Sequence, residues 1–246
     1  MGSEASSTCR SNILVRVSIE ARFKIIQQRV AKAAKDAGRD PSEVTILAAI
    51  KTQPAERVVE LIDAGCRLVG QNRAQELAEV SPAVAELRPG IAVETHFIGH
   101  LQSNKVGRVV DLASCVQSVD RLSIAAKLAN AALDRGKTLD VFVQVNASGE
   151  ETKSGVEPDA ATQFALDVAE LPSLRVRGLM TIGANSSDPA VVNDSFAVMQ
   201  GLSNAVVNSG LDAAELSMGM SGDLGPAIAH GATMVRIGTE IFGARQ

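Results

Sequence analysis

The sequence predicts an α/β protein: a single (β/α)8 TIM-type barrel with an extra N-terminal helix. The 246 residues match the usual size of one such barrel. Hydrophobic residues make up 46% of the chain and aromatic residues only 2%, with no Trp or Tyr. The core must therefore be built from Ala, Val, Leu and Ile, which suits buried parallel strands covered by helices. Short apolar runs also alternate with helical patterns along the whole chain, as in consecutive β-α units.

The N-terminal part divides into a polar segment and a helix. Residues 1–12 are rich in Ser and lack the apolar stretch of a signal peptide. We expect them to be disordered, and we expect residues 13–246 to form the barrel as one domain. An amphipathic helix follows, with Ser18 as its N-cap and Gly38 as its stop. Its apolar positions recur every three or four residues, at Phe23, Ile26, Val30, Ala33 and Ala37.

Eight strands are expected after this helix, because eight apolar runs are separated by helical stretches. The strands are predicted near residues 44–50, 68–70, 95–99, 115–119, 141–146, 176–182, 215–220 and 234–238. A helix opened by Pro54 and closed by Gly65 follows the first strand. Further helices are predicted near residues 74–87, 105–112, 121–135, 159–170, 190–207 and 224–229.

Composition argues against several classes of protein. The net charge is −4, with no block of Lys or Arg, so we expect no nucleic-acid partner. No apolar run is long enough to cross a membrane. The three cysteines are odd in number and form no C-x-x-C motif, which fits reduced thiols in a cytoplasmic protein. His96 and His100 flank a glycine in a strand and turn, so we expect no metal site.

Lys51 is the first residue that suggests chemistry. It follows the apolar first strand directly, and barrel enzymes place their sites at the C-terminal ends of the strands. A lysine in the barrel mouth near apolar walls is suited to imine formation with an aldehyde. Position alone leaves open the alternative of a solvated lysine at a strand end.

Two Gly/Ser segments follow the last two strands, at residues 217–223 and 236–239. Barrels often bind phosphate at these two places through backbone N–H groups. Two ordinary turns are the other interpretation, since Gly and Ser are common in turns. A reactive lysine and a phosphate cradle at one barrel mouth together indicate a phosphorylated aldehyde, and pyridoxal 5′-phosphate (PLP) fits both ends.

The same residues carry a resemblance to a known family. From about residue 44 to residue 245 the sequence resembles the pyridoxal phosphate homeostasis proteins, relatives of the N-terminal barrel of alanine racemase. The motifs are Ala49-Ile-Lys-Thr, Gly70-Gln-Asn, His96-Phe-Ile-Gly-His-Leu-Gln-Ser-Asn-Lys, Ser118-Val-Asp-Arg, Lys153-Ser-Gly, Arg177-Gly-Leu-Met, Leu216-Ser-Met-Gly-Met-Ser, Val235-Arg-Ile-Gly-Thr and Ile241-Phe-Gly-Ala-Arg.

The resemblance implies a set of cofactor contacts. It implies that Lys51 carries PLP as a Schiff base and that Arg236 is the partner of the pyridine nitrogen. Phosphate contacts are implied for Ser221, Gly238 and Thr239. The expected cofactor-binding set is completed by Asn72, His96, Ser217 and Met220.

The chain departs from the family pattern at five residues. Val69, Gln71 and Arg73 stand where the family usually has Phe, Glu and Tyr, Thr95 where it often has Trp, and Gly222 where Asp is common. The lysine and phosphate motifs are unaffected by these departures.

The resemblance implies a protein that buffers or delivers PLP without robust turnover, so no catalytic residues are expected. PLP-dependent apoenzymes are possible recipients, and we expect a monomer. The alternative is a PLP-dependent amino-acid enzyme such as a racemase. Barrel racemases use a tyrosine base, and this chain has no Tyr. A Schiff-base aldolase is a third class, but such enzymes commonly place the lysine on a later strand.

Overall fold

A computed structural model describes residues 17–150 and 152–243. In these ranges eight parallel strands close into one barrel in sequence order, and the last strand pairs back onto the first. The predicted (β/α)8 barrel is therefore confirmed. Residues 1–12, for which disorder was expected, lie outside the described part of the chain.

The strands are short, because each crosses only the wall of the barrel. They are β1 (Thr45–Ala49), β2 (Leu68–Gln71), β3 (Glu94–Phe97), β4 (Cys115–Val119), β5 (Leu139–Gln144), β6 (Leu174–Met180), β7 (Glu215–Ser217) and β8 (Met234–Ile237). β7 ends earlier than the sequence predicted, since Gly219 turns the chain with a φ of +89°.

The helices cover the outside of the barrel. In the described ranges they are α1 (Ile19–Asp36), α2 (Ala55–Asp63), α3 (Ala74–Leu87), α4 (Val106–Leu112), α5 (Leu122–Leu133), α6 (Pro158–Ala169), α7 (Pro189–Asn208), α8 (Leu224–Ala229) and α9 (Thr239–Phe242). Two 3₁₀ turns, Pro41–Glu43 and Ser103–Lys105, lie between them. The one-turn helix α9 was not predicted, because four residues are too few to show a helical period.

Helix α1 is the predicted extra helix. The Ser18 side chain accepts a hydrogen bond from the backbone N–H of Ala21 at 3.2 Å, and Gly38 ends the helix with a φ of +70°. Its buried face includes Phe23, and the helix packs against α2, α8 and α9. It therefore covers the seam where β1 meets β8.

Two apolar layers make up the core. The larger one fills the space between the strands and the helices and is built mainly from Ala, Val, Leu and Ile. The smaller one lies inside the barrel, where alternate residues of the strands point inward. It contains Leu47, Leu68, Cys115, Phe142, Met180 and Met234.

Charged side chains lie at the starts of β5 and β7. Asp140 accepts hydrogen bonds from Arg175 and Arg177, and Arg177 also pairs with Glu215. Burial works to lower the pKa of Arg177, but the bonds to Asp140 and Glu215 outweigh it and raise that pKa well above its usual value. This network joins β5, β6 and β7 away from the C-terminal mouth.

Candidate functional site

A cavity of about 590 Å³ opens at the C-terminal ends of the strands. This is the end of the barrel at which the sequence predicted a site. Seven of the nine predicted binding residues line the cavity: Lys51, Asn72, Met220, Ser221, Arg236, Gly238 and Thr239. The other two, His96 and Ser217, are not part of its lining.

Lys51 lies on a tight turn two residues beyond the end of β1. Its side chain is exposed at the cavity mouth, whereas the sequence suggested a more desolvated position. The next residue, Thr52, has a φ of +61°, which is unusual for a β-branched residue. The Thr52 N–H donates to the Glu76 carboxylate at 2.8 Å and its hydroxyl donates to the Lys51 carbonyl at 2.6 Å. Glu76, at the start of α3, therefore fixes the turn that presents the lysine.

The two Gly/Ser segments face the same cavity. The backbone N–H groups of Ser221, Gly222, Gly238 and Thr239 donate to none of the described residues. A Cβ atom at Gly238 would lie 3.0 Å from the Ala49 carbonyl oxygen. A larger residue there would crowd the backbone of β1 unless one of the two segments moved by a few tenths of an ångström.

Helix α1 contacts the backbone or side chains that follow both β7 and β8. Arg29 donates to the carbonyl oxygen of Ser221 at 3.1 Å and forms an ion pair with Glu240 in α9. One arginine thus contacts both segments that follow β7 and β8. This contact could not be predicted from the sequence, because Arg29 and Ser221 are nearly two hundred residues apart in the chain.

Arg236 forms part of the cavity floor and is 7% exposed. Its Nη1 donates to the Ser217 carbonyl at 2.6 Å and to the Ser217 hydroxyl at 2.8 Å, and its Nη2 donates to the Thr181 carbonyl at 2.6 Å. Burial lowers the pKa of Arg236 to about 10, opposed by the charge of Asp223. The side chain is therefore a cation at neutral pH.

Asn72 lines the cavity between β2 and α3, and its Oδ1 is buried with no hydrogen-bond partner among the described residues. The neighbouring Gln71 is fully buried, and its Nε2 likewise finds no partner there. A Cβ atom at Gly99 would lie 2.0 Å from the Asn72 carbonyl oxygen, so the loop after β3 rests directly on this residue. Unused amide capacity of this kind is costly in a buried place and is typical of a binding site.

His96 and Ser217 point into the barrel interior below the cavity. The reason is the alternation of the strands: Ser217 is level with Met234, one inward position below Arg236. Both side chains are bonded to Gln117, a fully buried residue of β4. Sequence reasoning missed Gln117, although it occupies an inward position between Cys115 and Val119.

Lys153 shares the cavity with Lys51 but is held in place. Its Nζ lies 2.6 Å from Glu150 Oε1 and 2.9 Å from the Gly183 carbonyl. The ion pair with Lys153 is the main reason that the pKa of Glu150 is lowered.

Other chemistry finds little support in residues 17–150 and 152–243. Cys66 and Cys115 are buried free thiols, and burial raises the pKa of both. In this part of the chain, no group of three or more His, Cys, Asp or Glu side chains is arranged so that it could hold a metal ion. None of the helices described is both long and apolar enough to span a bilayer.

Comparisons with known proteins agree with the geometry. Residues 23–246 match the family described as alanine racemase, N-terminal domain. The pyridoxal phosphate homeostasis protein of Pseudomonas aeruginosa is 44% identical over 220 residues, covering 89% of this chain and 93% of that protein. That of Vibrio cholerae is 40% identical over 228 residues, covering 93% and 97%. The structure of PipY from Synechococcus elongatus PCC7942 with PLP bound superposes with a TM-score of 0.79 at 28% identity, covering 92% of this chain and 100% of PipY.

These matches extend over nearly the whole of both partners, and they coincide with the strands and loops that build the cavity. The chain belongs to the pyridoxal phosphate homeostasis protein family, within the wider family of the alanine racemase N-terminal domain.

Proposed function

We propose that this protein binds PLP in the cavity as a Schiff base on Lys51 and acts in PLP homeostasis, by buffering PLP or delivering it to apoenzymes. The observation that carries the proposal is a single cavity that joins a lysine to four backbone N–H groups with no protein acceptor among the described residues. An amine and an anion cradle in one cavity match the aldehyde and the phosphate of PLP. PipY, whose structure has PLP bound, supports the same choice of ligand.

The residues present fit this group. The amine nitrogen of Lys51 would attack the aldehyde carbon, and water would leave as the C=N bond forms. Ser221, Gly222, Gly238 and Thr239 would donate to the phosphate from the backbone, with further donors from the Ser and Thr hydroxyls. The guanidinium of Arg236 would donate to the ring nitrogen, and the Asn72 side chain, whose Oδ1 has no partner among the described residues, would be available to hold the same group.

We further propose that the protein is a poor catalyst of amino-acid reactions even with PLP bound. Bound PLP supplies an electron-accepting ring, which works best when its nitrogen is protonated beside a carboxylate. Arg236 is a cation at neutral pH and only donates, so it disfavours that protonation. The chain also has no tyrosine to serve as the second base of a racemase.

An absorbance spectrum with PLP, before and after borohydride reduction, tests the proposal. We expect an imine band, and mass mapping should place the reduced label on Lys51. Lys51→Ala should remove both signals, whereas Lys105→Ala, outside the cavity, should keep them. Labelling of another lysine in the wild-type protein would contradict the assignment.

Turnover is tested separately by incubating the PLP-loaded protein with each common L-amino acid. We expect at most slow formation of D-isomers or keto acids. Several turnovers per second on any amino acid would replace the homeostasis function with the enzyme alternative.

A further inference from the structure

A continuous chain of hydrogen bonds runs inside the barrel from the cavity floor toward the start of β3. Arg236 Nη1 lies 2.8 Å from Ser217 Oγ, and Ser217 Oγ lies 2.7 Å from Gln117 Oε1. Gln117 Nε2 lies 2.7 Å from His96 Nδ1, and His96 Nε2 lies 2.7 Å from Glu94 Oε1. These five side chains come from four strands, and only that of Glu94 is substantially exposed.

All the hydrogen bonds in this series run in the same direction, from Arg236 as the first donor to Glu94 as the last acceptor. Arginine only donates, so the Ser217 oxygen must accept from it, and the Ser217 hydroxyl then donates to Gln117. The Gln117 amide in turn donates to His96 Nδ1, and the His96 Nε2–H donates to the Glu94 carboxylate. The bond from His96 is the main cause of the lowered pKa of Glu94. Each member therefore fixes the orientation of its neighbour.

Gln117 sets the direction of the Ser217 hydroxyl, which is the one group in this series of hydrogen bonds that is free to rotate. The hydroxyl hydrogen of Ser217 has no fixed position of its own, and pointed at Arg236 it would oppose the arginine N–H. The Gln117 oxygen draws that hydrogen away, so the serine lone pairs face the guanidinium. Of the five N–H bonds of Arg236, the contacts with Ser217 and Thr181 use three.

We propose that Gln117 is a positioning residue, which acts through Ser217 to hold the Arg236 guanidinium so that its remaining N–H donors face the ring nitrogen of PLP. This inference rests on the proposed function. It also gives His96 and Ser217 a role below the cofactor rather than in contact with it.

The test compares PLP with its 1-deaza analogue, in which carbon replaces the ring nitrogen and cannot accept a hydrogen bond. Binding of each is measured by equilibrium titration to the wild-type protein and to Gln117→Met, which keeps the side-chain length and removes the amide. We expect the wild-type protein to prefer PLP by about five-fold or more, the worth of one good hydrogen bond. In Gln117→Met this preference should fall below about two-fold.

A merely structural glutamine would give a different result. Loss of packing weakens both ligands equally, so an unchanged ratio in a folded Gln117→Met protein would overturn the proposal. A wild-type protein without any preference for PLP over the analogue would overturn it too. If the wild-type protein binds neither ligand, the proposed function itself fails, and the two failures are thus distinguishable.

A second variant decides the question if Gln117→Met does not fold. Ser217→Ala removes the hydroxyl that links Gln117 to Arg236, with little change in volume, and should also reduce the preference. Ser203→Ala is the matched control, because it removes a buried hydroxyl whose only hydrogen-bond partner in the described part of the chain is the Ala214 carbonyl, on the outer side of the barrel. Its preference should equal that of the wild-type protein, and an equal ratio in Ser217→Ala would contradict the proposal.

Discussion

Replacement of Asp140 by Asn tests the ionic network at the starts of β5 and β7. Asp140 is 8% exposed and accepts from Arg175 Nε at 2.6 Å, from Arg175 Nη2 at 2.7 Å and from Arg177 Nη1 at 2.6 Å. The substitution removes the one carboxylate, among the described residues, that forms an ion pair with both arginines. Breaking a buried ion pair from one side costs about 3–5 kcal/mol. The Arg175 side chain is 63% exposed and can turn into water, so we expect a loss of about 2–3 kcal/mol.

Urea unfolding followed by circular dichroism measures this loss, and the melting temperature should fall by roughly 5–10 °C. Asp36→Asn is the control, because the Asp36–Lys32 pair lies exposed on α1. Its cost should stay below about 0.5 kcal/mol. If Asp140→Asn costs no more than this control, the reasoning about a shared buried carboxylate is refuted.

Three further predictions concern pH, packing and the second lysine. Burial opposes ionisation of Asp140, but bonds from Arg175 and Arg177 lower its pKa in the folded state. The stability that Asp140 contributes is therefore present above its unfolded pKa of about 4 and is lost as the pH falls through its folded pKa. Unfolding free energies between pH 6 and 3 should thus fall more steeply for the wild-type protein than for Asp140→Asn, and parallel curves would contradict this. Thr95→Ile should raise the unfolding free energy by about 1 kcal/mol, because Thr95 lines an apolar cavity of about 220 Å³ with Val58, Val84 and Leu112. A lower unfolding free energy would show that the cavity cannot accept the ethyl group that replaces the hydroxyl. Lys153→Ala should keep the imine band of bound PLP, since Glu150 and the Gly183 carbonyl hold that amine, and loss of the band in stopped-flow or static spectra would make Lys153 part of the attachment site.

The sequence predicts the barrel well because its signals are local. Each strand is a short apolar run, each helix has its own period, and Ser18 and Gly38 mark the ends of α1 where the structure has them. Lys51 and the segments after β7 and β8 are also predictable, because a barrel places the ends of all strands at one mouth.

The interior of the site is less predictable because its contacts join distant strands. Gln117 is an ordinary polar residue in the sequence, and only the closed barrel brings it between His96 and Ser217. The φ of +61° at Thr52 cannot be predicted from the sequence either, since threonine rarely adopts it and no neighbouring residue indicates it. The structure places His96 and Ser217 in the layer below the cavity lining, which their motif positions alone do not reveal.

The pairing of β8 with β1 has a consequence for biosynthesis. Lys51 follows β1, near the beginning of the barrel, whereas Arg236 and Gly238 belong to the last strand and its loop. A nascent chain emerging from the ribosome displays the lysine long before the anion cradle exists. The complete cavity arises only when β8 closes the barrel. Under the proposed function, PLP is therefore captured after translation, and its binding stabilises the newly formed pairing of β1 with β8 by mass action.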